Sequence, residues 1–182
     1  MSRPEFERLE SRIVYANRWM RVREDKFRRP DGSDGVYGIV EKGDYVLVIP
    51  YADGYVWLVE QYRYPVEGRY WEFPQGSWEH TPEARPEDVA YGELEEETGF
   101  RARQLERLGT LFQAYGYSNQ AFHVYLAQDL VPGPRKLDVE ESDLVSRRFS
   151  LVQLESMLRS GEIRDVSSVA AYGLAQLLGI FH

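Results

Sequence analysis

Three glutamates near the middle of the chain, Glu93, Glu96 and Glu97, have the spacing that places side chains on one face of a helix. Like charges on adjacent turns repel, and each i,i+4 pair of the same sign destabilises a helix by about 0.2–0.5 kcal/mol. A hard divalent cation removes this repulsion, because carboxylate oxygens are the ligands that Mg²⁺ and Mn²⁺ prefer. The spacing therefore indicates a metal site, and a solvated acidic helix face is the alternative.

The elements around these glutamates predict how they are positioned. Residues 87–98 have the pattern of a helix, and Gly99 closes it in the usual C-terminal position. The helix follows a glycine-bearing loop at residues 76–86 and a short Trp-Glu-Phe-Pro strand at residues 71–74. Two more helices are expected at the end of the chain, the second with Asp165 as its N-cap.

Further β-strands are indicated by apolar and alternating patterns on either side of this region. A β-rich stretch covers residues 11–28 and leads into a turn at residues 29–32. The other predicted strands lie at residues 36–41, 45–50, 55–62, 105–114, 122–129 and 143–150. Hairpins combined with helices predict an α+β or layered α/β/α domain.

The residues around the helix resemble the Nudix hydrolase signature, G-x5-E-x7-R-E-U-x-E-E-x-G-U, in which U is a bulky apolar residue. Residues 93–100 match the second half of the signature position by position, and Gly76 matches its leading glycine. The resemblance implies Mg²⁺, or Mn²⁺, held by Glu93 and Glu97, with Glu96 as a further ligand or support. It also implies a small-molecule substrate in which a nucleoside diphosphate is linked to another group.

The first half of the signature is altered in this chain. Gly92 stands where the signature has arginine, and 17 positions separate Gly76 from Glu93 where the signature has two fewer. Glu83 is the nearest counterpart of the signature's first glutamate. In the family the arginine helps to hold the signature together through carboxylate contacts, so its replacement bears on metal affinity and rate.

A second run of residues resembles the ADP-ribose and nucleotide-sugar pyrophosphatase branch of the family. The run consists of Gln-Tyr-Arg at residues 61–63 and Trp-Glu-Phe-Pro-Gln-Gly at residues 71–76. By position it implies that Arg63 contacts the substrate phosphates or ribose and that the Gln75 backbone carbonyl completes a metal site. Glu72 is then a substrate-binding carboxylate, or a structural partner of an arginine.

A late loop of this branch supplies another glutamate near the metals, as a ligand or general base. Glu140 and Glu141 stand where that loop is expected, and Glu141 is the preferred candidate beside Glu97. ADP-ribose enzymes of the branch typically have a proline about where Tyr115-Gly116 stands here, which leaves room for GDP-mannose or another sugar nucleotide.

The expected reaction is Mg²⁺-dependent hydrolysis of the pyrophosphate bond in ADP-ribose or a sugar nucleotide, giving a nucleoside monophosphate and a sugar phosphate. The alternative is a catalytically impaired Nudix-fold module that binds a nucleotide as a sensor or regulator. The expected architecture is an α/β/α layered Nudix fold with a mixed β-sheet at residues 43–182. An N-terminal antiparallel β-region at residues 1–42 precedes it and is a candidate homodimerisation element.

Composition limits the other classes of function. The net charge of −8 argues against a nucleic-acid partner, which needs a basic face. The chain has no cysteine, so thiolate metal sites and disulfides are excluded. No apolar run approaches the roughly 20 residues of a membrane helix. We therefore expect no membrane partner and a cytoplasmic location.

Overall fold

The computed structural model describes residues 5–78, 81, 83–133 and 143–181. Its chain forms two compact units. The first consists of Met1–Asp44 and Phe112–Ala121, and the second of Tyr45–Leu111 and Phe122–His182. Within the described ranges, no helix combines the length and the apolar character that crossing a membrane requires.

The first unit contains an antiparallel sheet of three strands. These are β1 (Glu7–Ala16), β2 (Arg21–Arg28) and β3 (Asp34–Glu41), paired in that order. The side-chain oxygen of Asn17 accepts a hydrogen bond of 2.9 Å from each of the backbone N–H groups of Trp19 and Met20. These bonds close the β1–β2 turn. Sequence analysis did not place a turn there.

The second unit contains a sheet of seven strands in the order β10-β5-β4-β9-β8, with β6 beside β5 and β7 beside β4. β4 and β9 are parallel, and the pairs of β5 with β4, β6 and β10 are antiparallel, so the sheet is mixed. The strands are β4 (Tyr45–Ala52), β5 (Tyr55–Arg63), β6 (Gly68–Glu72), β7 (Gln75–Gly76), β8 (Phe100–Phe112), β9 (Ala121–Pro132) and β10 (Val145–Ser150).

The strand predicted at residues 71–74 is replaced by two elements. β6 ends at Glu72, and β7 begins at Gln75 and pairs with β4. Pro74 separates them because it has no N–H to donate to a ladder. Its carbonyl still accepts a hydrogen bond of 2.9 Å from the Val48 N–H. The segment predicted as a loop from residue 76 is therefore anchored to the sheet at its first residue.

Helices cover both faces of this sheet, as the α/β/α prediction requires. They are α1 (Pro86–Thr98), α2 (Leu151–Ser160) and α3 (Val166–Leu177). Successive side chains of a strand point to opposite faces, and in β4 this alternation separates two cores. Val46 and Val48 pack in a cluster with α1, whereas Leu47 and Ile49 pack in a cluster with α2 and α3.

Candidate active site

Helix α1 buries two of the three glutamates. It begins with Pro86 at its first turn, where a missing N–H costs nothing, and ends at Gly99, which has a φ of 74°. On its inner face Glu93 is 5% exposed and Glu97 is fully buried. Burying carboxylates is unfavourable unless they are paired, hydrogen-bonded or bound to a cation, so this face is not a solvated acidic surface.

Two further glutamates of the helix, Glu95 and Glu96, differ in their positions. Glu96 is partly exposed. Glu95 points away from the core, and its Oε1 accepts a hydrogen bond of 2.8 Å from Nε of Arg101. Of the three glutamates predicted to share one face, Glu93 and Glu97 are buried, and Glu96 is partly exposed.

The short strand β7 contacts both buried glutamates. The backbone N–H of Gln75 donates a hydrogen bond of 3.2 Å to Oε2 of Glu97. At Gly76, a Cβ atom would lie 2.5 Å from Oε2 and 2.6 Å from Cδ of Glu93. The absence of a side chain at Gly76 thus lets the Glu93 carboxylate lie against the strand. In this chain, the signature's leading glycine is therefore required by the close approach of the Glu93 carboxylate.

This arrangement fits a hard divalent cation by its chemistry. Two buried carboxylates and a third, partly exposed one are oxygen donors of the kind that Mg²⁺ binds. In the described part of the chain, no three Asp, Glu or His side chains already converge into a complete metal-binding set. Glu93 and Glu97 both lie against β7, through Gly76 and Gln75 respectively.

A buried ion pair lies on the neighbouring strands β5 and β6. Glu72 is 3% exposed and accepts hydrogen bonds from the Arg63 guanidinium and, at 3.1 Å, from Nε2 of Gln61. Burial raises the pKa of Glu72, and the positive charge of Arg63 opposes that rise. The structure therefore gives Glu72 the arginine partner that sequence analysis allowed as the alternative to substrate binding.

The charges of several carboxylates in the site affect the pKa of Arg63. Burial lowers its pKa, but the neighbouring negative charges outweigh this and the pKa stands above its ordinary value. In order of effect these charges belong to Glu72, Glu97 and Asp165. Arg63 of β5 and Glu97 of α1, both predicted as site residues, thus belong to one electrostatic cluster.

Asp165 is a member of this cluster that sequence analysis recognised only as a helix cap. Its Oδ2 accepts hydrogen bonds of 2.8 Å from the N–H and the hydroxyl of Ser168, which confirms the predicted N-cap of α3. The same oxygen accepts a hydrogen bond of 3.2 Å from Nε2 of Gln75. The sequence pattern predicted Asp165 as a helix cap, but no sequence signal predicted its contact with Gln75, which lies 90 residues away in the chain.

Comparison with known families decides what this site belongs to. The model of the nucleoside diphosphate sugar hydrolase N-terminal domain matches residues 6–40, and that of the NUDIX domain matches residues 41–171. The chain belongs to the Nudix family. The family recognition and the α+β fold class predicted from sequence are thereby confirmed.

Relatives of this Nudix protein place it in the ADP-ribose and nucleotide-sugar branch. It is similar to the ADP-ribose pyrophosphatase of Bacillus subtilis, with 33% identity over 81% of this chain and 79% of that protein. It is also similar to the ADP-ribose pyrophosphatase of Mycobacterium tuberculosis, with 30% identity over 96% of this chain and 84% of that protein. The chain is a Nudix-type pyrophosphatase, as predicted.

A solved structure shares the fold of this Nudix pyrophosphatase. The crystal structure of an ADP compounds hydrolase has a TM-score of 0.85 and 24% identity, and the match covers 98% of this chain and 96% of that one. At this identity the likeness establishes the fold alone.

The catalytic, metal-binding and substrate-binding roles of the Nudix site residues remain predictions. Glu140 and Glu141 lie outside the described residues. Glu83, the nearest counterpart of the signature's first glutamate, is exposed to solvent. The Gln75 carbonyl also remains a predicted ligand, whereas the N–H and the side-chain amide of Gln75 have the partners described above.

Proposed function

We propose that this Nudix pyrophosphatase hydrolyses the pyrophosphate bond of a nucleoside diphosphate sugar with Mg²⁺ as cofactor. The observation that carries the proposal is the packing of two buried carboxylates, Glu93 and Glu97, against Gln75–Gly76. The two relatives named ADP-ribose pyrophosphatase support ADP-ribose as the first candidate substrate. The products are then AMP and ribose 5-phosphate.

Each residue has a defined part in this proposal. Glu93 and Glu97 hold the cation, with Glu96 and the Gln75 carbonyl as additional oxygen donors. When bound, Mg²⁺ or Mn²⁺ stabilises charge on the diphosphate and lowers the pKa of a coordinated water. The proton released by the attacking water goes to the carboxylate of Glu97 or of Glu141.

Arg63 is the proposed substrate-binding cation. Its side chain is 40% exposed, while its partner Glu72 is buried, so part of the Arg63 side chain is accessible to a substrate. A planar guanidinium donates two parallel hydrogen bonds to phosphate oxygens. Glu72 orients Arg63 toward the diphosphate in this scheme, and it contacts the substrate itself only if the ion pair opens.

A panel of substrates tests the proposal. The full chain is incubated with Mg²⁺ and ADP-ribose, GDP-mannose, ADP-glucose or UDP-glucose, and the products are separated by ion-exchange chromatography. Hydrolysis in oxygen-18 water then identifies the phosphorus that is attacked. Mg²⁺-dependent release of a nucleoside monophosphate is expected, with ADP-ribose favoured. Calorimetric binding of ADP-ribose without turnover of any of these compounds would select the sensor module instead.

GDP-mannose is included because of a particular pair of residues. Tyr115 and Gly116 stand about where ADP-ribose enzymes of the branch have a proline. A higher kcat/KM for GDP-mannose than for ADP-ribose would change the assigned sugar nucleotide and leave the reaction class unchanged.

We also propose that the enzyme is a homodimer formed through its N-terminal sheet. Every residue of β1 is exposed, including four large apolar side chains that are 43–53% exposed, Leu9, Ile13, Val14 and Tyr15. Exposed apolar residues grouped on one element are typical of an interface. Light scattering after size-exclusion chromatography measures the mass, and an Ile13→Glu variant should shift a dimer toward the monomer. A monomeric wild-type protein would contradict this assignment.

A further inference from the structure

Gly92 in helix α1 lies directly beneath the indole ring of Trp78. A Cβ atom at Gly92 would overlap Cζ2 of Trp78 and would lie 3.0 Å from Cε2 and 3.1 Å from Cη2. Distances of this kind are tighter than carbon atoms in folded proteins accept. In its observed position, the Trp78 ring therefore requires glycine at position 92.

A glycine inside a helix needs such a reason, because it is less favourable there than alanine. The chain offers a contrast in Gly173 of helix α3, where an added Cβ would have no heavy atom within 4 Å. Only at Gly92 of these two positions does the missing side chain make room for a neighbour. The glycine that stands in place of the signature's arginine thus makes room for the Trp78 ring.

The contact joins the same two segments that bring the proposed metal ligands together. Trp78 follows Gly76 by two residues, and Gly92 directly precedes Glu93. The ring also packs against the core cluster that contains Val89, Ala90 and Leu94 of α1. Fixing Trp78 on the helix therefore fixes the chain leaving β7 relative to the turn of α1 that carries Glu93.

We propose that Trp78 and Gly92 form a positioning pair that holds the β7 segment on α1 in place of the signature's arginine contacts. The proposal rests on the proposed function, since it is the β7 contacts of Glu93 and Glu97 that the pair maintains. The proposal predicts that the arginine found in the family signature is unfavourable at position 92 of this chain. Restoring arginine at position 92 introduces a side chain where the ring lies, and so impairs the site instead of improving it.

The test compares two glycine-to-alanine substitutions in helices. Gly92→Ala and Gly173→Ala gain the same intrinsic helix propensity, so a difference between them reports the Trp78 contact. Gly92→Ala should lower kcat and weaken Mn²⁺ binding by about tenfold each, which is the usual effect of disturbing the support of a metal ligand. Gly173→Ala should leave both within about twofold of wild type, since it touches nothing.

A double-mutant cycle separates positioning from general packing. In a Trp78→Ala background the ring is absent, so adding Gly92→Ala should change kcat and Mn²⁺ affinity by less than about twofold, and the two effects are then non-additive. Gly92→Arg should be at least as damaging as Gly92→Ala. Additive effects, or a Gly92→Arg protein as active as wild type, would overturn the proposal. If Gly92→Ala does not fold, a Trp78→Ala protein that binds Mn²⁺ with wild-type affinity would also overturn the proposal.

Two of the readouts need no substrate. Mn²⁺ binding is measured by calorimetry on the apoprotein. Acrylamide quenching of tryptophan fluorescence, with Trp78→Ala giving the contribution of the other three tryptophans, reports whether the Trp78 ring has left the helix. Quenching should increase in Gly92→Ala and remain unchanged in Gly173→Ala. Should the wild-type protein hydrolyse no sugar nucleotide, the proposed function fails, while these measurements still decide whether Trp78 and Gly92 act as a pair.

Discussion

The carboxylate of Glu72 is 3% exposed, and it pairs with the guanidinium of Arg63, whose side chain is 40% exposed. The pair thus spans the boundary between the core of the second unit and its surface. A buried charge that loses its partner is costly, whereas the exposed member of such a pair can turn to solvent. The two residues are therefore not equivalent, although each is half of the same contact.

This asymmetry predicts a pH-dependent stability defect in Arg63→Ala. Burial raises the pKa of Glu72 above its ordinary value of 4.5, and removing Arg63 removes the main opposing effect. A carboxyl with a raised folded pKa contributes stability below its unfolded pKa and loses it as the pH rises through the folded value. The variant should lose about 2–4 kcal/mol at pH 8 and less near pH 5, measured by urea unfolding.

The control for this prediction is Arg63→Ala/Glu72→Gln. Glutamine has the shape of glutamate and no charge, so the additional loss between pH 5 and pH 8 should disappear. An Arg63→Ala loss that is the same at both pH values would show that Glu72 does not titrate in this way.

Turnover should depend on Glu97 and not on Glu95. Glu97 is fully buried against β7, whereas Glu95 pairs with Arg101 on the outer side of α1. Glu97→Gln keeps the hydrogen bond from the Gln75 N–H but removes a charge, and kcat should fall by a factor of about 100 or more. Glu95→Gln should change kcat by less than about twofold and stability by less than about 1 kcal/mol. Equal rates in the two variants would remove Glu97 from the mechanism.

Asp165 should affect stability through its capping of α3 and activity through its negative charge near Arg63. Asparagine is as good an N-cap as aspartate, so Asp165→Asn should keep α3 capped while removing a negative charge near Arg63. Asp165→Ala loses the cap as well and should destabilise the protein by about 1–2 kcal/mol. We expect roughly tenfold lower kcat/KM in both variants, because both remove the negative charge that acts on Arg63, and only Asp165→Ala also loses the contact with Gln75.

Ser150 provides the matched cap for that comparison. It caps α2 through a reciprocal pair of hydrogen bonds with Gln153. Ser150→Ala should destabilise the protein by a similar amount, about 1 kcal/mol, with kcat/KM unchanged. A loss of kcat/KM in Ser150→Ala that equals the loss in Asp165→Ala would mean that helix capping alone explains the result.

Tyr45 should titrate at an unusually high pH. Burial raises its pKa to about 12, and the hydrogen bond with Oγ of Ser167, at 2.6 Å, acts in the opposite direction. The neutral phenol is therefore favoured by folding, so its contribution is complete below pH 10.0 and is lost as the pH rises toward about 12. The difference in phenolate absorbance between wild type and Tyr45→Phe gives this titration, and a midpoint near 10 would contradict the burial argument.

Sequence alone determined the chemistry-bearing helix and the family. The spacing of Glu93, Glu96 and Glu97 is a property of the helix itself, and Gly99 and Asp165 mark helix ends through local backbone chemistry. The apolar and alternating patterns of residues 45–50 and 55–62 similarly indicated strands. Each of these features depends on residues only a few positions apart, which is why a single sequence contains them.

Tertiary structure decided which of those residues meet. The hydrogen bond from Gln75 to Asp165 and the pairing of Arg63 with Glu72 connect segments whose separation in the chain carries no periodic signal. The same holds for Gly92, which sequence analysis interpreted as a loss from the signature and which the structure shows to make room for the Trp78 ring. Side-chain volume and burial are set only when the β7 segment and α1 are packed together, so the reason for that glycine appears only in the folded chain.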